Sequence, residues 1–349
     1  MKKSHGLRFI KNFTINHINP SVKRPTFAYI TITSQCNSQC NYCGMWENKK
    51  ENEPTTEEWK SIISDIAKIG AVTLTFSGGE PFLRLDLFEL AAHAKSQGLV
   101  PMVVTNLSLF NKDHVEKIAG NFDFFGISLD AIHPEMYTEI RGKDWLEQIK
   151  QNIHVLMDGL STLKAETEVS AVVTVSNRNA DEIHELVHLV FDELNMDTIT
   201  FNLLDPNGGA KAQEFIPTQE QLQYFQQVVL DHKSIFPISN SVRYVNQLGH
   251  FDYACNPWKC VQIDHRGFLA TPCLFLHDRQ INLLEERLSD VWKSKDIQKI
   301  YSQYNKCKTC NLGCVAESAW STSDFNFIFN EGFLGMILPA IKRIRVRNE

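Results

Sequence analysis

Three cysteines fall within eight residues, as Cys36-Asn-Ser-Gln-Cys40-Asn-Tyr-Cys43. That spacing puts three thiolates on one short loop, close enough together to grip one metal group. A structural zinc or an ordinary four-iron cluster takes four protein ligands. Three thiolates on a four-iron cluster leave one iron open for a small ligand, which is a chemical opportunity rather than a defect. Six more cysteines, Cys255, Cys260, Cys273, Cys307, Cys310 and Cys314, form a second group far along the chain. An odd total of nine, confined to two groups, reads as metal ligation rather than disulfide pairing in a reducing compartment. Taken alone, the second group suits a zinc ribbon, because cysteine pairs flank what looks like a hairpin.

Two other motifs have weaker claims. His184-Glu-Leu-Val-His188 matches the helical HExxH zinc pattern, with both imidazoles one turn apart. Ile183, Leu186, Val187, Val190 and Leu194 make the apolar stripe of that helix, so Asp181, His184, Glu185, His188 and Asp192 are expected on a solvated outer face. Asp205-Pro-Asn-Gly-Gly209 with Lys211 lacks P-loop spacing and reads as a turn.

The elements that must hold these residues alternate. Strand-like runs are expected at 27–33, 72–76, 100–105, 122–129, 166–175 and 198–204, rich in β-branched and aromatic residues. Helical patterns separate them, at 54–69, 85–96, 115–119, 145–157, 181–194 and 219–230. Six βα units imply a parallel sheet with right-handed crossovers, and ligands bind where such strands end. The polar and glycine-rich signals fall at those ends: Cys36, Ser77-Gly78-Gly79-Glu80, Thr105-Asn106, Ser128 with Asp130, and Asn177. From about residue 237 the pattern changes to short strands, turns and cysteines, with a hairpin expected over 261–273.

CxxxCxxC after the first strand, with Gly78-Gly79-Glu80-Pro81 after the second, resembles the radical S-adenosylmethionine (SAM) superfamily. The resemblance implies an α/β fold, a partial (β/α)6 barrel. It implies a [4Fe-4S] cluster on Cys36, Cys40 and Cys43 whose open iron chelates SAM. It also implies reductive cleavage of SAM to a 5′-deoxyadenosyl radical that abstracts hydrogen from a substrate. Carried over position by position, Tyr42 matches the residue against the adenine, and Gly78, Gly79 and Glu80 match the edge that receives the methionine amino group. Ser128 and Arg141 resemble the ribose and carboxylate contacts, with Asn106 and Asp130 as weaker cofactor-binding candidates. The second cysteine group resembles a SPASM or shorter twitch module, which holds extra iron–sulfur clusters over the open end of the barrel.

Six cysteines fill one four-thiolate site and leave two over, so one auxiliary [4Fe-4S] cluster is expected. Cys255, Cys273, Cys307 and Cys310 are the favoured ligands, with Cys260 and Cys314 as open alternatives. The module is truncated relative to a full SPASM pattern. Leu274 stands where sulfatase-maturing relatives place an aspartate base, which argues against that substrate. Peptide maturation or oxidation of a small molecule fits better, with a flavodoxin or ferredoxin as electron donor.

The 349 residues carry a net charge of −6, with 43% hydrophobic and 22% charged residues. That excludes disorder and gives no bulk basic field for nucleic acid. No uncharged apolar run is long enough to span a bilayer, and no signal peptide is evident, so a cytoplasmic location is expected. The expected divisions are an extension over 1–25, the barrel over 26–235, the cysteine-rich module over 236–320 and a tail over 321–349. In that tail Phe325, Phe327, Phe329 and Phe333 precede Lys342, Arg343, Arg345 and Arg347. This is the pattern of a peripheral contact with an anionic membrane, in competition with a terminal helix capping the barrel. A zinc metalloprotease using His184 and His188, or a non-catalytic zinc-ribbon protein, is the alternative of a different class.

Overall fold

The structure, a computed structural model, describes residues 3–19, 23–48, 51–206, 209, 211–248, 255–273, 279–304 and 317. Leu274, Cys307, Cys310, Cys314 and the tail over 321–349 lie outside the described residues.

The six expected strands form as β1 (Phe27–Thr33), β2 (Thr73–Gly78), β3 (Val100–Thr105), β4 (Phe124–Ser128), β5 (Glu168–Val175) and β6 (Thr198–Leu203). All pair in parallel, each with its neighbour in sequence. Successive residues along them are buried, as Leu74, Thr75 and Phe76 in β2 are, which is why the strands read as nearly continuous hydrophobic runs. The helices are α1 (Lys3–Ile18), α2 (Thr56–Ile69), α3 (Leu87–Ser96), α4 (His114–Asn121), α5 (Pro134–Arg141), α6 (Leu146–Thr162), α7 (Ile183–His188) and α8 (Gln219–Lys233). The helix start read at 54–58 is a full capping box: Glu58 N–H donates to the Thr55 hydroxyl, and Thr55 N–H donates to the Glu58 carboxylate. From there Trp59, Ile62, Ile63 and Ile66 bury completely or nearly so against the sheet.

The segment over 181–194 is not one helix. Ala180–Glu182 is a 3₁₀ turn, α7 follows, and Leu189–Glu193 widens into a π-helical turn, closed by Leu194 N–H on the Leu189 carbonyl at 2.9 Å. The periodic stripe hid that change because one inserted residue scarcely disturbs it.

Three further helices, α9 (Val242–Gln247), α10 (Leu288–Val291) and α11 (Lys295–Gln303), accompany three strands, β7 (Cys260–Ile263), β8 (Phe268–Thr271) and β9 (Arg279–Asn282). The hairpin expected over 261–273 is β7 and β8, with Gly267 in its turn at φ +83°. It does not start a sheet of its own. β7 runs parallel to β1, with Phe27 opposite Cys260 and Ile30 opposite Ile263. Among the described residues one nine-stranded sheet results, in the order β6-β5-β4-β3-β2-β1-β7-β8-β9, with no pairing that closes it.

The N-terminal residues cover the end where the strands begin. Asn12 of α1 donates to the Pro25 and Gly70 carbonyls, and Arg8 donates to the Gly98 and Ala67 carbonyls. Trp292 Nε1 donates to Lys23 O at 2.7 Å, and Arg287 pairs with the buried Asp65 on α2. Among the described residues no helix is long and apolar enough to cross a membrane.

Candidate active site

The cysteine loop leaves β1 at the end where the strands finish, and three neighbouring segments hold its backbone. At the end of β2, Gly79 N–H donates to Thr33 O at 2.9 Å and Glu80 N–H to Gln35 O at 2.8 Å. A Cβ at Gly79 would overlap the Gln35 carbonyl, and Gly78 sits at φ +127°, so this pair of glycines is demanded by the loop itself. From the other side comes the C-terminus of α5. Gln39 and Asn41 N–H groups donate to the Arg141 and Ile140 carbonyls, and the Ser38 hydroxyl donates to Arg141 O at 2.8 Å. Gly142, left-handed at φ +70°, lets that turn press onto the Gln39 carbonyl. Gly209, in the turn after β6, packs against the backbone of Tyr42, Cys43 and Gly44. The glycine-rich stretch read as a simple turn therefore also bears on the loop.

Cys40 is buried, with Cys36 and Cys43 half-buried. Burial pushes the Cys36 thiol up to about 11 and raises Cys43 as well. Bare thiols here hold their protons, and a cation is what would release them. Arg141 Nη1 approaches Cys40 Sγ at 3.7 Å, and the Ser38 hydroxyl lies 3.5 Å from the same sulfur. Trp46 Nε1 donates to Cys40 O at 3.1 Å.

Behind the sulfurs lies a buried charge pair. Arg141 Nη2 meets Asp130 Oδ2 at 2.6 Å, and the Tyr42 hydroxyl donates to the same oxygen at 2.9 Å. Asp130 Oδ1 accepts Thr174 N–H at 2.7 Å, so both carboxylate oxygens are engaged. Burial pushes the Tyr42 hydroxyl far up. For Arg141 burial acts downward, but Asp130, Tyr42, Cys40 and Tyr137 together outweigh it and hold the guanidinium well above its ordinary pKa. Its Nε is buried and meets no hydrogen-bond partner among the described residues.

Glu80, also buried, ties β2 to β3: it accepts from the Thr105 hydroxyl at 2.6 Å, from Asn106 N–H at 2.8 Å and from Phe82 N–H at 3.0 Å. Burial raises its pKa in spite of those donors. Asn106 donates to Asn37 Oδ1 and accepts from Ser108, so its side chain braces the first turn of the cysteine loop. Ser128 is the last residue of β4, half-buried and level with Val172. Cys36, Cys40, Cys43, Tyr42, Gly78, Gly79, Glu80, Asn106, Asp130 and Arg141 thus form one connected cluster at the strand ends. Asn37, Ser38 and Trp46 belong to it too. Their positions inside or just after the cysteine spacing were the available signal.

The second cysteine group stands elsewhere. Cys260 is level with Phe27, the first residue of β1, and the antiparallel register that sets Ile263 opposite Leu269 carries Cys260 to the level of Pro272, beside Cys273. By strand rise, about 20 Å of β1 separate this level from the loop that carries Cys36. The hairpin cysteines therefore lie at the strand-start end, not over the open end of the barrel. Cys255 and Cys260 are buried. Burial pulls the neighbouring Lys259 ammonium down to about 7 and pushes the Tyr301 hydroxyl, close to Cys260 and Cys273, far up.

Residues 30–190 match the model of the radical SAM superfamily. That stretch, just under half of the chain, is similar to a radical SAM domain. Residues 207–331 match a second model, a domain of unknown function (DUF3463). The Fe-coproporphyrin III synthase of Methanosarcina barkeri is 30% identical over 212 residues, 60% of this chain but 49% of that one. The chain thus matches about half of that relative's length. The AdoMet-dependent heme synthase of the same organism is 29% identical over 327 residues, 84% of this chain and 92% of its own. Among solved structures, Streptococcus suis SuiB bound to S-adenosylmethionine superposes with a TM-score of 0.68 at 16% identity, over 95% of this chain and 79% of SuiB. That likeness is one of fold, the same unclosed parallel barrel.

Proposed function

We propose that this chain is a radical SAM enzyme that binds a [4Fe-4S] cluster through Cys36, Cys40 and Cys43 and cleaves SAM reductively to abstract hydrogen from its substrate. The observation that carries the proposal is the three-thiol loop, braced on three sides, with a buried guanidinium at Cys40. The donor set fits the group. Three thiols leave one coordination position over, and the unfilled Nε of Arg141 offers a hydrogen bond to an anion beside it. When bound, the cluster supplies the electron that splits the sulfonium of SAM into methionine and a 5′-deoxyadenosyl radical.

The chain's own residues orient and enclose. Arg141 and Asp130 fix Tyr42 at the foot of the loop, where it fits the adenine side of SAM. The backbone edge Gly78–Glu80 fits the amino group, and Ser128 the ribose. Glu80 and Asn106 act by holding that edge in register with β3.

A second [4Fe-4S] cluster on Cys255, Cys273, Cys307 and Cys310, with Cys260 and Cys314 as alternatives, is supported by the buried thiols of Cys255 and Cys260 and the half-buried thiol of Cys273. At about 20 Å along β1 from the first loop, it suits electron conduction better than contact with substrate. A flavodoxin or ferredoxin fits as electron donor, and the basic tail fits an anionic surface. The substrate is a peptide or a small molecule. The placement of α1, spent on the strand-start end, favours a substrate that enters without help from that helix.

The test is anaerobic reconstitution with iron and sulfide, then SAM and dithionite, with 5′-deoxyadenosine read by chromatography. Wild type forms it and Cys40→Ala does not. Absence from both would sink the reading.

A further inference from the structure

The helix face expected to be plain solvated surface gains a third histidine. His184 and His188 project one turn apart from α7, and His232, near the end of α8, meets them, with ligand-capable atoms of all three within 4.8 Å of one another. The ring centroids lie 4.7, 4.9 and 5.6 Å apart, and the rings are inclined at 60°, 79° and 82° rather than stacked. Three imidazoles bound to one ion at 2.0–2.1 Å in a tetrahedral arrangement place their centroids about 5.2 Å apart. The observed triangle brackets that value.

We infer that His184, His188 and His232 form a site for one divalent transition-metal ion of the zinc class, separate from both cysteine groups. Two of the three rings are already oriented for it. His188 Nδ1 lies 2.6 Å from Asp192 Oδ2, and His232 Nδ1 lies 2.8 Å from the Val228 carbonyl. An imidazole that donates from Nδ1 presents its lone pair at Nε2, the arrangement by which carboxylates and carbonyls commonly orient metal-binding histidines. Asp192 comes from the π-helical turn directly after α7, an irregularity that natural helices concentrate at functional positions. The Phe236 ring lies 5.4 Å from His188 and 6.0 Å from His232, an apolar wall on one side. His184 is exposed and the other two half-buried, so a fourth position opens to solvent.

Three imidazoles this close repel if protonated, whereas a shared cation turns the same closeness into attraction. Nitrogen donors without thiolate favour zinc, nickel or copper over an iron–sulfur group. Bound there, the ion ties α7 to α8 across the outer face of the barrel.

The test uses the full chain with its iron–sulfur sites filled anaerobically, so that thiols do not compete. Zinc is titrated against a chromophoric chelator for wild type, His184→Ala, His188→Ala and His232→Ala, with iron content and circular dichroism confirming each fold. Wild type is expected to take up one zinc more than every variant, and its Tm to rise with zinc while theirs do not. Asp192→Asn, at a positioning residue, is expected to keep the stoichiometry and weaken affinity 10- to 100-fold. Equal zinc uptake in wild type and all three variants overturns the site. Uptake that survives His232→Ala at unchanged affinity overturns it as a three-histidine site.

Discussion

Cys36 and Cys260 flank the same strand, one past its finish and one beside its start, and their surroundings differ in kind. Around Cys36 the backbone is pinned by hydrogen bonds from β2 and α5, glycines permit the close approach, and a buried Arg141–Asp130 pair stands behind the sulfurs. Around Cys260 the enclosure is made by bulk: a continuing sheet, the ring of Tyr301 and the stem of Lys259. The first arrangement pins the loop backbone and sets a charge beside its thiols, as the proposed reacting centre requires. The second encloses its thiols in a continuing sheet, a setting that would suit a group that passes electrons or stabilises the fold.

The strongest way to break the comparison is to remove one sulfur from each end. Cys40→Ala is expected to cut 5′-deoxyadenosine formation more than about 10⁴-fold and to remove about four irons per chain. Cys273→Ala, beside Cys260 at the strand start, is expected to lower iron by a similar amount while SAM cleavage persists. Equal loss of cleavage in both would erase the distinction. Next, Arg141→Met strands the fully buried Asp130 carboxylate, at a cost of about 3–5 kcal/mol in denaturant unfolding. A drop under about 1 kcal/mol would show that the pair is solvated.

Glu168 sharpens the strand-start end through pH. Burial raises its carboxyl to about 7, against the donor Thr198 hydroxyl at 3.0 Å. The folded state then holds a proton that the unfolded state has lost between about pH 4.5 and 7, so this group's contribution to stability falls across that window as pH rises. Glu168→Gln should stabilise the protein by about 2 kcal/mol at pH 8 and by little at pH 4.5. An identical difference at both would exclude the titration. Smallest is Arg287→Ala, which loosens α10 from Asp65 and should cost about 1 kcal/mol because the guanidinium is half exposed and Lys68 still faces the carboxylate.

The strands were legible because each is a local run of β-branched residues, while their order as a partial barrel came with the family resemblance. The cysteine loop was legible because its ligands lie within eight residues. The partners that organise the loop were partly legible: Arg141 and Asp130 were named as contacts of a cofactor, and the structure adds that they hold one another. What stayed hidden depended on distance in sequence. Nothing local in Val261-Gln-Ile263 says that it pairs with β1 rather than starting a new sheet, and nothing near His188 announces His232. The π turn at Leu189–Glu193 escaped for the opposite reason, being too small to break a helical stripe.

The pairing of β7 with β1 also sets a schedule for synthesis. The edge of β1 that faces Cys260 emerges near the beginning of the chain, and its partner follows about 230 residues later. At 5–20 residues per second a ribosome takes about 12–45 s to supply it. For that interval β1 offers a bare line of amide and carbonyl groups to any passing strand. The nascent chain therefore has a window of vulnerability that ends when its cysteine-bearing hairpin arrives, and slowing translation between α8 and β7 would lengthen it.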